Sequence, residues 1–205
     1  MAKKLENSLL NMFLSLTVIC VVVGGLLGLV ADVTAQPIQD AKDAAQKAAI
    51  AAVAPEFDAV AEPQTVEQPN GVNAIVFAVS KGGEVVGHAV QATTLKGFGG
   101  KVIIMFGFDL EGNITGYNVL DCSNETPGLG AKIPDWFQKG QKGDVIGKNP
   151  ATNNLTVSKD GGEVDAITAA TISSRAFCDA IAQAASVLTG TDVDTAASAQ
   201  VESNN

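Results

Sequence analysis

Ala74-Ile-Val-Phe-Ala-Val79, Glu84-Val-Val-Gly-His-Ala-Val-Gln91, Val102-Ile-Ile-Met-Phe-Gly-Phe-Asp109 and Ile114-Thr-Gly-Tyr-Asn-Val-Leu120 follow one another in the middle of the chain. They are rich in β-branched and aromatic residues, and turn signals bound them. Gly82-Gly83 separates the first pair and Glu111-Gly112-Asn113 the last, as expected for hairpins. The pattern predicts one antiparallel sheet. After it, Ile172, Ala176, Phe177, Ile181, Ala184, Ala185 and Leu188 form one apolar stripe, which predicts a helix over Ile172 to Leu188. Gly190 is the expected stop. The fold class expected is therefore α+β, an antiparallel sheet with flanking helices. Trp136 and Phe137 are expected to close its core, and Leu155–Val157 with Glu163–Ile167 to add a strand pair around Asp160-Gly-Gly162.

Upstream, Leu9 to Val30 is almost wholly apolar. A helix of that length rises about 33 Å, enough to cross a bilayer's hydrocarbon core. Lys3 and Lys4 precede it, Asp32 follows, and no basic residue appears until Lys42. The positive-inside rule then puts the N-terminus in the cytoplasm and the rest outside. A cleavable signal peptide is the competing reading, with Val33-Thr34-Ala35 before Gln36 as the cleavage site. The apolar run exceeds the usual core of such signals, about 7–15 residues, and this favours a retained anchor. Gly24, Gly25 and Gly28 permit close packing against another helix.

Pro37 to Val53 is alanine-rich with a helical period, Pro37 suiting a first turn and Pro55 closing the segment. The expected organisation is a cytoplasmic N-terminus (1–8), a transmembrane helix (9–30), and a stalk or first helix of the outer domain (31–56). The outer domain (57–190) and a disordered acidic tail (191–205) follow. Residues 54–72 read as loop.

A formal net charge of −9 argues against nucleic acid and against docking on an anionic lipid surface. One histidine, His88, and no paired metal-ligand spacing argue against a zinc or iron–sulfur site. Cys122 and Cys178 allow a disulfide in an oxidising compartment, but read better as separately buried thiols; Cys20 lies in the apolar run.

Two loops carry the chemistry. In Glu125-Thr126-Pro127-Gly128-Leu129-Gly130 the proline stiffens the backbone, the glycines permit close approach, and Leu129 is placed to cover a flat ring. By itself such a loop is also a simple turn. In Asp165-Ala-Ile-Thr168-Ala169-Ala170-Thr171-Ile-Ser173-Ser174 a hydroxyl stands at the start of the predicted helix. Helix N-termini offer unpaired N–H groups and a favourable dipole to phosphate. An ordinary N-cap cluster is the alternative.

Together the loops resemble the FMN-binding domain shared by two membrane complexes. One is the Rnf ferredoxin:NAD-oxidoreductase complex, where it forms the G subunit. The other is the sodium-pumping NADH:quinone reductase, where it forms the C subunit. The short length looks more like the former. The resemblance implies that Thr171 bears FMN through a phosphoester. Asp165 would head the motif read by a magnesium-dependent flavin transferase, and Thr168, Ala169, Ala170 and Ser173 would shape the loop. Glu125, Thr126, Pro127, Gly128, Leu129 and Gly130 would line the ring site. The family usually has glycine where this chain has Ala169; at a left-handed position that methyl would cost about 1–2 kcal/mol.

By the same resemblance the chain is an electron carrier in an ion-translocating (Na+ or H+) complex of the bacterial inner membrane, partnered by that complex's other subunits, the transferase and lipid. No Gly-x-Gly-x-x-Gly dinucleotide fingerprint gives it a turnover site of its own. His88, Lys101, Lys132 and Tyr117 are candidate flavin tuners, each equally readable as sheet, surface or core. A non-redox, membrane-anchored binding domain is the rival from another class.

Overall fold

The computed structural model describes residues 9–68 and 71–189. The segments 1–8 and 191–205, with Gly190, lie outside the described residues. Two compact units are present, one up to Ala45 and one from Gln46 onward.

The first unit is helical. Helix α1 runs from Leu9 to Val53 without a break and contains Pro37. Pro37, expected in a first helical turn, lies inside this helix instead. The ring removes one hydrogen-bond donor from the helix. Alanine-rich flanks and the absence of glycine between 29 and 53 favour helix on both sides of it. Leu9–Val53 is the one helix among the described residues long and apolar enough to cross a membrane. Thr17 and Thr34 return their hydroxyls to the carbonyls of Phe13 and Val30, which hides them from an apolar surround.

The second unit is built on one antiparallel sheet. Its strands are β1 (Ala59–Val60), β2 (Gln64–Val66), β3 (Ala74–Lys81), β4 (Glu84–Gly97), β5 (Gly100–Asp109) and β6 (Ile114–Asp121), ordered β1-β3-β4-β5-β6 with β2 also on β3. The four long strands and their two predicted hairpins are as the sequence indicated, but β4 continues six residues beyond Gln91 to Gly97. β1 and β2 correct the loop expected over residues 54–72; both are short and none of their residues is buried, so burial imposed no alternation on them.

Two helices follow, α2 (Ile133–Trp136) and α3 (Thr171–Thr189). The expected strand pair at Leu155–Val157 and Glu163–Ile167 is absent. An isolated parallel bridge, Val157 to Val164, stands there instead, around a 3-10 turn at Ser158–Asp160. The backbone is satisfied locally: Ser158 N–H donates to Val164 O, and Val164 N–H to Thr156 O.

Alternate residues of the sheet feed two cores. One face, with Val90, Ile104, Phe106 and Phe108, packs against Phe177, Ile181 and Ala184 of α3. Phe137 stacks on Phe177 with ring centroids 4.0 Å apart, and Tyr117 meets the same ring edge-on at 4.9 Å. Phe137 is buried in this cluster and Trp136, half-buried, packs against it. On the other face Ala49, Ile50 and Val53 of α1 cover Phe77, Val79, Ala89 and Met105. Gly107 and Gly116, paired across β5 and β6, give that helix end its seat, because a Cβ on Gly107 would collide with the Val53 carbonyl. Thr115 Oγ1 donates to that same carbonyl at 2.5 Å and closes an orphan acceptor of the last turn.

Candidate functional site

The Glu125–Gly130 loop leaves β6, and the Asp165–Ala170 loop enters α3. One buried contact joins them. Ser173 Oγ donates to Glu125 Oε2 at 2.5 Å, while Glu125 Oε1 accepts from Gly99 N–H at 3.1 Å. Glu125 is 3 % exposed, so the carboxylate is a brace behind the site. Gly130 sits against this brace; a Cβ there would collide with Glu125 Oε2 and Ser173 Oγ. The glycine is required by close approach.

The turn into α3 is tied by Ser174. Its hydroxyl accepts from Ile167 N–H at 2.9 Å and donates to Ala170 O at 3.0 Å. Ala170 N–H closes the turn on Ile167 O. Ala169, its third residue, has φ +62°, the one non-glycine positive φ among the described residues. A type II turn favours glycine at that position. The first helical bond is Ser174 N–H to Ala170 O, so the N–H groups of residues 171–173 lie in the unpaired first turn.

The hydroxyls of the α3 start are thus sorted. Ser173 and Ser174 are buried in structural bonds, whereas Thr171 faces a surface cleft of about 290 Å³. Ala170, whose side chain carries no acceptor, occupies the cap position, so Thr171 is not the N-cap. Its Oγ1 instead accepts from Lys159 Nζ at 3.1 Å. The cleft is lined by Phe98, Thr126, Leu129, Gly130, Ala169, Ala170, Thr171, Ile172 and Ser173.

The structure therefore gathers Thr126, Leu129, Gly130, Ala169, Ala170, Thr171 and Ser173 from the sequence-expected set. Glu125 lies behind the cleft; Pro127, Gly128, Asp165 and Thr168 are exposed outside its lining. The Asp165 carbonyl accepts from Trp136 Nε1 at 2.8 Å, which fixes the head of the loop. Phe98, 67 % exposed in the β4–β5 turn, and Ile172, 49 % exposed, line the cleft and were missed. Ile172 departs from the expected core stripe for this reason.

The expected tuners lie elsewhere. His88 and Lys101 are in strands outside the cleft lining, and exposed Lys132 ends a 3-10 turn. Tyr117 is a core residue whose hydroxyl reaches the carbonyls of Ile133 and Pro134, and burial raises its pKa. Cys122 and Cys178 are both free thiols. Burial pushes Cys178 up to about 12 and raises Cys122 in the same direction.

Two ion pairs hold the frame. Asp179 of α3, nearly buried, accepts from Thr94 Oγ1 and Lys96 Nζ, both at 2.8 Å, and from Gln183 Nε2 at 2.6 Å. Arg175 donates a two-pronged fork to Asp160, both bonds 2.7 Å, and this holds the Asp160 carboxyl below its ordinary range.

A rigid turn, an apolar cleft and one outward hydroxyl at a helix start suit a phosphate-bearing ligand with a flat apolar ring. Residues 97–186 match the FMN-binding domain family. The match starts inside β4 and ends inside α3, so it contains both loops and the cleft. Proteins named as the G subunit of an ion-translocating oxidoreductase complex are also similar. The protein from Yersinia pestis is 35 % identical over 114 residues, 54 % of this chain and 53 % of its own. That of Cronobacter sakazakii is 37 % identical over 113 residues, 53 % of each. That of Aliivibrio fischeri is 37 % identical over 112 residues, 53 % of this chain and 52 % of its own. The chain spans about half the length of the curated relatives it matches.

The residues of the cleft are compatible with the ligand that the matched family is described by. The cleft's volume, about 290 Å³, lies just below the usual range of ligand sites, about 300–1,000 Å³, which is room for part of such a ligand. Phe98, Leu129 and Ile172 supply apolar cover; Thr171 and the helix start supply polar anchors.

Proposed function

We propose that this chain is the flavoprotein member of an Rnf-type ion-translocating oxidoreductase complex, carrying FMN by a phosphoester on Thr171. The observation that carries the attachment point is the sorting of hydroxyls: Ser173 and Ser174 are committed to buried bonds and Thr171 opens on the cleft. The family match supports FMN, and the similarity to the relatives from ion-translocating oxidoreductase complexes supports the complex.

The bound flavin supplies one- and two-electron transfer. The protein's residues hold it. The first turn of α3 faces the phosphate, and Phe98, Leu129 and Ile172 exclude water from the ring. The Glu125–Ser173 brace fixes the distance between the two loops. α1 anchors the chain in the inner membrane with the flavin domain outside. Other subunits of the complex are the redox partners, and a flavin transferase attaches the FMN.

The test is Thr171→Ala in the native host. The expected result is loss of denaturation-resistant flavin fluorescence and of ferredoxin-driven NAD+ reduction by membranes, with the far-ultraviolet spectrum of the purified chain unchanged. Thr171→Ala membranes with wild-type activity would overturn the reading and favour a non-redox binding domain.

A further inference from the structure

We propose that Lys159 is the cationic partner of the phosphate group on Thr171, a role that rests on the attachment reading above. Lys159 Nζ donates to Thr171 Oγ1 at 3.1 Å, across twelve residues of chain. It stands in the 3-10 turn Ser158–Asp160, which is held by Asp160 N–H on Val157 O at 2.8 Å and Ser158 N–H on Val164 O at 2.8 Å.

The same turn is bolted to the same helix face. Arg175 lies one helical turn beyond Thr171, and its fork grips Asp160, the residue after Lys159. The guanidinium and the Asp160 carboxylate cancel each other's charge. The charge left over on this turn is the Lys159 ammonium, and it points at the threonine oxygen.

The chemistry fits a phosphodiester. Its non-bridging oxygens are acceptor-only and anionic, and they sit one bond beyond the phosphorus that the ester oxygen carries. An ammonium has three donors, so it can keep the ester oxygen and reach a non-bridging one. Neither Lys159 nor Lys132, the cation that follows the Gly-rich loop, lines the cleft itself; Lys159 is distinguished by its hydrogen bond to Thr171 Oγ1 at the cleft's edge. Lys159 is a positioning residue: it makes and breaks no bond, but orients the phosphate and lowers the cost of bringing that anion to an acidic protein.

The experiment uses the full apo chain in detergent with purified flavin transferase, magnesium and FAD, whose pyrophosphate bond breaks as the Thr171 oxygen takes the FMN phosphoryl and AMP leaves with the proton. Two quantities are read: the initial rate of covalent flavin incorporation at limiting transferase, and the phosphorus-31 resonance of the fully flavinylated chain. Lys159→Met is expected to incorporate flavin up to about five-fold more slowly, the range of an exposed charge pair. It is also expected to displace the phosphorus resonance. Lys159→Arg restores both. Lys159 is exposed, so the fold is unaffected. A Lys159→Met chain matching wild type in rate and resonance overturns the proposal while leaving Thr171 intact. Equal flavin incorporation by Thr171→Ala would overturn the attachment reading itself, and Lys159's role with it.

Discussion

Replacing Ala169 by glycine should stabilise the protein. Ala169 has φ +62°, where a Cβ crowds the following carbonyl at a cost of about 1–2 kcal/mol. Glycine removes that strain, but it loosens the unfolded chain by about 0.4–1 kcal/mol. The side chain is exposed, so no buried contact is forfeited. The balance is a gain of about 0.5–1 kcal/mol, or about 1–4 °C in melting temperature for a domain of this size. Urea and thermal unfolding of the full chain in detergent measure it. Trp136, the single tryptophan, reports on the site directly, because its indole N–H donates to the carbonyl of Asp165. A glycine variant less stable by about 1 kcal/mol or more, the usual penalty at an ordinary helical position, would refute the left-handed turn and with it the shape of the loop before Thr171.

Other outcomes follow from the same geometry. Ser173→Ala leaves the buried Glu125 carboxylate short of one donor and should cost about 1–3 kcal/mol; a double-mutant cycle with Glu125→Gln should show coupling of about 1 kcal/mol or more, and additivity would contradict the brace. Asp160 ionises below its ordinary range because Arg175 holds it. Its contribution is therefore present above about pH 4 and lost as pH falls through the depressed pKa. Asp160→Asn should flatten the acid limb of the stability curve in that window. Cys178, with a thiol pushed up to about 12 by burial, should resist alkylation at about pH 8 in the native chain and react once urea unfolds it.

The long strands and α3 were legible because each buries one face, and burial writes a period into the residues. Phe106, Phe108, Phe177 and Ile181 are core in the structure for the same reason that they stood out in the pattern. The two loops were legible through their glycine, proline and hydroxyl spacing. β1 and β2 were not, since strands with no buried residue carry no alternation. Pro37 misled because its ring is usual at a helix start, whereas here it lies within one long helix. Lys159 was invisible for a different reason. Its contact with Thr171 depends on a 3-10 turn and an Arg175–Asp160 fork, and neither has a periodic signature. Phe98 was hidden in a turn predicted only as a gap between strands. Glu125, expected at the ring site, is buried behind the cleft, bonded to Ser173 and to Gly99 N–H, contacts that spacing does not reveal.

The most direct test of the account is the mass of the chain from its native host, followed by fragmentation of the peptide that contains Thr171. The account predicts an increase of one FMN less one water, located on Thr171 and absent from Thr171→Ala. An unmodified mass in a host that flavinylates other proteins, or the same increase on any other residue, would contradict it.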